Sequence, residues 1–220
     1  MKSSAKRCYL CGSSGVLTRE HVPPKSLFPR PRPSNLSTVP CCNKCNNSAS
    51  KDDEYFRFAC SSLINANPHG RRSWQRLVAS TLKHRRIEKL IDRVRGGMKP
   101  VRLVTSAGAV PAAQLAFEAD VINRVLVRIT KGFLYLTHPE IDRSKLDFHV
   151  TQIDQFKLHS IVASGVATAL ATYSVGDGVY RHWRGLVDED NRNGLWIHMF
   201  YEAAVWMIQH EPGDDRVTVF

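Results

Sequence analysis

Acidic residues are the scarce component of this 220-residue chain, with 20 Asp and Glu against 31 Lys and Arg and a net charge of +11. Also missing is any apolar run that could span a bilayer. The longest weakly polar stretch, around Ile161 to Thr172, is too short and too rich in Gly and Ser. The first residues, MKSSAKR, lead into Cys8 without the apolar segment of a secretory signal, so a cytoplasmic protein with no membrane partner is expected. No Gly-rich phosphate loop, Ser-His-Asp arrangement, lipid motif, internal repeat or linker is present, which leaves out the functions that those features carry. Six cysteines do not make a disulfide framework in a chain this long, and they fit a reducing compartment. The 43% hydrophobic content can build a proper core, in one domain or two.

The charge is unevenly placed. Residues 1–51 hold nine Lys or Arg against Glu20 alone, and residues 71–102 hold eleven against Glu88 and Asp92, while the remainder is net acidic. A basic excess confined to two segments is the footprint of a protein that neutralises phosphates and releases counterions. Solvated helix faces also carry charge runs, so the patch alone leaves both readings open.

Four of the cysteines form two Cys-x-x-Cys pairs, Cys8 with Cys11 and Cys42 with Cys45. Each pair offers two sulfurs from one tight turn, the spacing with which four thiolates surround a structural zinc ion. Between them lie Glu20 and His21, then Asn35, and Asn46 follows the last cysteine of the set. A carboxylate beside an imidazole, with amide oxygens nearby, supplies hard-cation ligands and a proton acceptor. Cys60 reads as a packing residue and Cys41 as a bystander near the metal.

These residues resemble the HNH endonuclease family in its zinc-stapled form. Glu20-His21-Val22-Pro23-Pro24, Asn35-Leu36 and Cys42-Asn43-Lys44-Cys45-Asn46 match its successive motifs, with Glu20 where aspartate is commoner. The likeness covers about the first quarter of the chain. It implies a DNA phosphodiesterase in which His21 is the general base, Glu20 and Asn46 hold Mg²⁺ or Mn²⁺, and Asn35 braces the loop that holds His21. Lys25, Arg30 and Arg32 would then follow a phosphate backbone, joined by Arg85, Arg86, Lys89 and Arg93 of a basic helix. RNA in place of DNA stays open. The alternative is a zinc-stabilised nucleic-acid or protein binding module that cleaves nothing.

The expected fold is α+β. A treble-clef-like ββα-metal module over residues 1–66 precedes a helical and β accessory region over 67–220, which would serve specificity, a protein partner or a homodimer. Strands are expected at Val16 to His21 and Thr38 to Pro40, and a helical turn at the second cysteine pair. Ser50 to Asp53 reads as a capping box for a helix to about Asn65, with Asp52 and Asp53 at its cap. Further helices are expected over Arg71 to Arg95, Asp120 to Leu136 and Ser160 to Thr172. Strands follow at Val101 to Val104 and Leu146 to Thr151, then a meander of Gly178 to Gly185, Gly194 to Tyr201 and Ala203 to Gln209. His182, His198 and His210 in the meander read as solvated or hydrogen-bonded residues, not a second metal site.

Overall fold

The computed structural model describes residues 7–81, 92, 94, 96–106, 108–163, 170–188 and 190–213. The fold is mixed α+β and ends in an antiparallel sheet. Strands β1 (Leu17–Val22) and β2 (Ser37–Cys42) pair as an antiparallel hairpin, and helix α1 (Asn43–Ser61) follows at once. Helix α2 (Pro68–Thr81), an antiparallel pair β3 (Lys99–Thr105) and β4 (Gly108–Gln114), and helix α3 (Ala119–Thr137) come next. Strand β5 (Leu146–Gln152), helix α4 (Gln155–Ala163) and strands β6 (Ala171–Val175), β7 (Tyr180–Leu186), β8 (Gly194–Phe200) and β9 (Ala204–Pro212) complete the chain. The last five strands form one sheet in the order β5-β9-β8-β7-β6, all neighbours antiparallel. Among the described residues, no helix is long and apolar enough to cross a membrane.

Several elements differ from the sequence expectation. No helix starts at the expected capping box: α1 runs unbroken from Asn43, with Cys42 as its N-cap, so Asp52 and Asp53 lie in its middle. The second Cys-x-x-Cys turn is already the first helical turn, and the serines that suggested a cap bond backward within the helix, Ser48 to Cys45 O and Ser50 to Asn47 O. The helix expected over 160–172 is replaced by α4, which begins at Gln155, and by β6, where Ala171 to Val175 take up the free edge of β7. The described part of the Arg71 to Arg95 helix is α2, which begins at Pro68. In it Trp74 packs on Phe58 and Leu77 is buried, whereas Val78 is exposed. Strand β4 has no clear alternation to announce it.

One continuous core joins the hairpin, the helices and the sheet. Helix α3 lies at its centre, with Val121, Val125, Ile129 and Phe133 buried, and a second, smaller cluster of Trp183, Ile197, Val205 and Ile153 covers the other face of the sheet with Leu158 and Ile161 of α4. Gly132 lets α3 approach the hairpin, since a Cβ there would lie 2.6 Å from Val22 Cγ2.

All three histidines of the meander are buried and hydrogen-bonded: His182 and His198 lie against Phe133 and Thr130 of α3, and His210 lies between Trp196 and Phe148 of the sheet. Hydrogen-bond accounting assigns their tautomers. Thr130 donates its one hydroxyl proton to Leu126 O at 3.0 Å, so it must accept from His198 Nε2 at 3.0 Å. His198 Nδ1 then accepts from Tyr180 at 2.7 Å, and the Tyr180 oxygen accepts from His182 Nδ1 at 3.1 Å. Trp196 donates to His210 Nδ1 at 3.1 Å. His198 and His210, each accepting at Nδ1, are therefore neutral in the fold.

Burial pulls the pKa of His182 down to about 3 and that of His198 well below the ordinary 6.5, and it lowers His210 as well. The unfolded chain binds protons below pH 6.5 that these rings refuse. Stability is thus full above pH 6.5 and falls as the pH drops toward the folded values, by roughly 1.4 kcal/mol per pH unit for each of His182 and His198. Denaturation midpoints measured from pH 7.5 to 5 should fall steadily below 6.5. A flat profile would mean that the three rings titrate freely.

Candidate metal centre and its surroundings

Cys8 and Cys11 lie on a tight turn closed by Gly12 N to Cys8 O at 2.9 Å and Cys8 N to Ser13 O at 2.8 Å. Gly12 takes φ +70°, a left-handed conformation that favours glycine. The turn is tied to the hairpin by Tyr9 N to Pro40 O at 2.9 Å. From the other side, Cys42 ends β2 and Cys45 sits in the first turn of α1.

The ligand atoms of Cys8, Cys11, Cys42 and Cys45 all lie within 4.8 Å of one another, and Cys11 Sγ stands 3.8 Å from Cys42 Sγ. A tetrahedral ion with bonds of about 2.3 Å to sulfur separates its ligands by about 3.8 Å. The four thiols therefore form a metal-binding cluster consistent with structural zinc. Burial opposes the Cys8 thiolate, yet the backbone N–H groups of Cys11, Cys42 and Leu10 outweigh it and bring the pKa down to about 6. Burial and the neighbouring Cys42 and Cys11 push the Cys45 thiol up instead. Cys41 is fully buried and opposes Thr18 on β1, and it is not one of the four, while Cys60 is a core residue.

Glu20 and His21 are consecutive on β1, so the strand directs them to opposite faces. The Glu20 face turns inward and His21 is half-buried. Burial, with help from Lys25 and Arg32, holds the His21 pKa below its ordinary value, which keeps the ring neutral at pH 7. Lys25, Arg30 and Arg32 are exposed in the loop beyond it, where Arg32 Nε donates to Lys25 O at 3.1 Å. Tyr201 fastens this loop to the distant sheet by donating to Leu27 O at 2.7 Å.

The Glu20 carboxylate is 6% exposed and accepts from Arg128 Nε at 2.9 Å. The same guanidinium donates to Asp53 Oδ1, and on the surface beside it Arg124 Nε bonds Asp52 at 2.9 Å. Burial raises the Asp53 pKa to about 6 even against Arg128, so protonation there offsets part of the histidine effect in acid. Asn46 donates from Nδ2 to Thr18 Oγ1 at 2.9 Å, and no other side-chain bond engages it among the described residues. Asn35 is exposed and borders a 260 Å³ pocket with Asp177, Arg181 and Glu202, and no hydrogen bond joins it to His21. Arg85, Arg86, Lys89 and Arg93 lie outside the described residues.

The fold thus gathers the four cysteines at one place, His21 with its basic loop at a second, and Glu20 with Asp53 at a third. Arg128 is the residue that sequence reasoning passed over. Its signal was a lone charge on the α3 stripe of Val121, Val125, Arg128 and Gly132, all of which are buried. Comparison of the chain with protein-family models, curated proteins and solved structures finds no match.

Proposed function

We propose that this chain is a metal-dependent endonuclease of the HNH kind that hydrolyses phosphodiester bonds in DNA. The observation that carries the reading is the four-cysteine cluster, which fastens a two-stranded hairpin ending in Glu20-His21-Val22 to the start of a helix bearing Asn46. Zinc would be structural, because all four of its positions are filled by protein sulfur.

The reading also calls for a hard divalent ion. Such an ion would draw on the buried Glu20 carboxylate and on the amide oxygen of Asn46, whose Nδ2 is the atom that bonds Thr18, and both are hard oxygen donors. Glu20 and Asn46 would hold Mg²⁺ or Mn²⁺, which when bound supplies charge stabilisation at the scissile phosphate. The exposed Lys25, Arg30 and Arg32 would grip the flanking backbone. His21, kept neutral by its surroundings, would accept the proton of the attacking water. Nicking of supercoiled plasmid in Mg²⁺, Mn²⁺, Co²⁺ or Ni²⁺ tests the reading, and intact plasmid in all four would end it.

One observation favours the second reading, a zinc-stapled module that binds nucleic acid without cutting it. Arg128 already supplies a cation to Glu20, on the face of β1 away from His21. Binding without cleavage in the plasmid assay would select it.

Either reading makes the basic segment a phosphate contact. Replacing Arg85, Arg86, Lys89 and Arg93 together with glutamine should weaken DNA binding and flatten the slope of log affinity against log salt by up to about 4. Filter binding at several salt concentrations measures it. An unchanged slope would free that segment for a protein partner.

A further inference from the structure

A half-buried arginine with an unmet donor stands under the basic loop that follows His21. Arg57 belongs to a turn of α1 whose neighbours Phe56, Phe58 and Ala59 are fixed in the core, so its stem leaves a rigid surface. Its Nε is buried without a hydrogen-bond partner. Burial lowers its pKa, Tyr201 and Glu54 offset part of that effect, and Arg32 adds to it. The short turn Lys25–Leu27 packs against α1, and the Oγ of Ser26 within it is also buried without a partner. Tyr201 fixes this turn through Leu27 O, and Arg32 folds back to bond Lys25 O. Arg32 acts electrostatically on both Arg57 and His21, so the guanidinium and the imidazole flank one basic loop.

Unmet buried donors are costly, and here two of them lie where helix and turn meet, in a positive field. A phosphate oxyanion satisfies both, because it accepts from a hydroxyl and from a guanidinium, and the planar fork of arginine matches it. We propose that Arg57 and Ser26, with Arg32 beside them, form a seat for one backbone phosphate of the DNA strand that lies across His21. This seat rests on the reading above for its DNA, and it adds a fixed contact on α1 to the exposed loop residues named there.

The test is binding of the zinc-loaded full chain to a short DNA duplex at several salt concentrations, without added divalent ion so that the strand stays whole. Arg57→Gln should weaken binding roughly 10-fold at low salt and reduce the slope of log affinity against log salt by about 1, the share of one phosphate contact. Arg57→Lys should recover the slope, because the charge returns, and only part of the affinity, because the fork does not. Ser26→Ala should weaken binding roughly 3-fold or more with the slope unchanged, since a hydroxyl carries no charge. Arg57→Gln removes an unmet charge, so it should keep its zinc and melt no lower than wild type.

A lower melting temperature in Arg57→Gln with an unchanged slope would make Arg57 a structural residue and overturn the seat. Inorganic phosphate, added at constant ionic strength, separates the two sources of the oxyanion. Stabilisation by phosphate that depends on Arg57, with DNA affinity and slope unchanged in Arg57→Gln, would assign the site to free phosphate and overturn its DNA role. Wild-type DNA binding by Arg57→Gln, in a protein that nicks plasmid, would overturn the seat and leave the nuclease reading intact. A slope that depends on Arg57, in a protein that leaves plasmid intact, would uphold the seat and end the nuclease reading.

Discussion

Replacing Cys42 with serine should strip the zinc and unfold the segment from Cys8 to the first turn of α1. Besides the cluster, the segment is held by the core contacts of Val22, Leu27, Phe28 and Val39 and by the Tyr201 bond to Leu27 O, so its cysteine turn and the start of α1 should loosen most. Its turn is joined to the hairpin by Tyr9 N to Pro40 O, and the hairpin has only two strands, which are marginal in water by themselves. Structural zinc contributes about 10–16 kcal/mol of binding free energy in small modules, more than the whole stability of many domains. Cys42 is also the N-cap of α1, so losing its metal bond loosens strand and helix together. Val22, Tyr55, Phe56 and Phe58 belong to the common core, so the sheet and the later turns of α1 should persist.

Metal analysis should find zinc near one per chain in wild type and close to none in the variant. Hydrogen exchange should quicken over residues 8–46 while the five-stranded sheet stays protected, and a strong chelator should reproduce the pattern in wild type. Full zinc occupancy in Cys42→Ser would contradict the cluster. Cys41 is fully buried and its thiol is held against Cys8 and Glu20, outside the group of four clustered sulfurs.

His21→Ala should slow plasmid cleavage by roughly two to four powers of ten, the usual yield of acid–base catalysis. The ring is half-buried and no hydrogen bond engages it among the described residues, so zinc content, melting temperature and DNA binding should stay near wild type. Because burial, Lys25 and Arg32 lower its pKa, the neutral base persists below pH 6.5, and the acid limb of the wild-type rate profile should fall below that value. Cleavage at the wild-type rate would remove His21 from the mechanism.

Glu20→Ala is the wrong control for this experiment. It would leave Arg128 buried against Asp53 alone, and breaking a buried ion pair by removing one partner destabilises by about 3–5 kcal/mol. Glu20→Gln keeps a hydrogen-bond acceptor for Arg128 and separates ion binding from folding. That choice follows from the tertiary structure alone.

What the chain shows before folding is what local spacing carries. Two Cys-x-x-Cys turns predict a four-sulfur cluster because each turn fixes its own pair of sulfurs, and the apolar period from Val121 to Phe133 predicts α3 because a helix repeats its buried face every three to four residues. The last three strands are legible for the same reason, with aromatic and β-branched runs separated by turn residues. Glu20, Asp53 and Arg128 are far apart in sequence, and no local rule brings them together. Their pairing needs the close approach of α3 to β1 that Gly132 permits, just as the burial of His182 and His198 needs α3 laid across the sheet. The start of α1 eight residues before its apparent cap shows the same competition. Once Cys42 and Cys45 are drawn to a common centre, their turn nucleates the helix, and a weak capping signal at Ser50 cannot restart it. The sequence by itself determined the spacing of the cysteine cluster and the run of elements; which carboxylates are buried against Arg128 was decided only by tertiary packing, because burial and ion pairing depend on neighbours that the chain delivers from a distance.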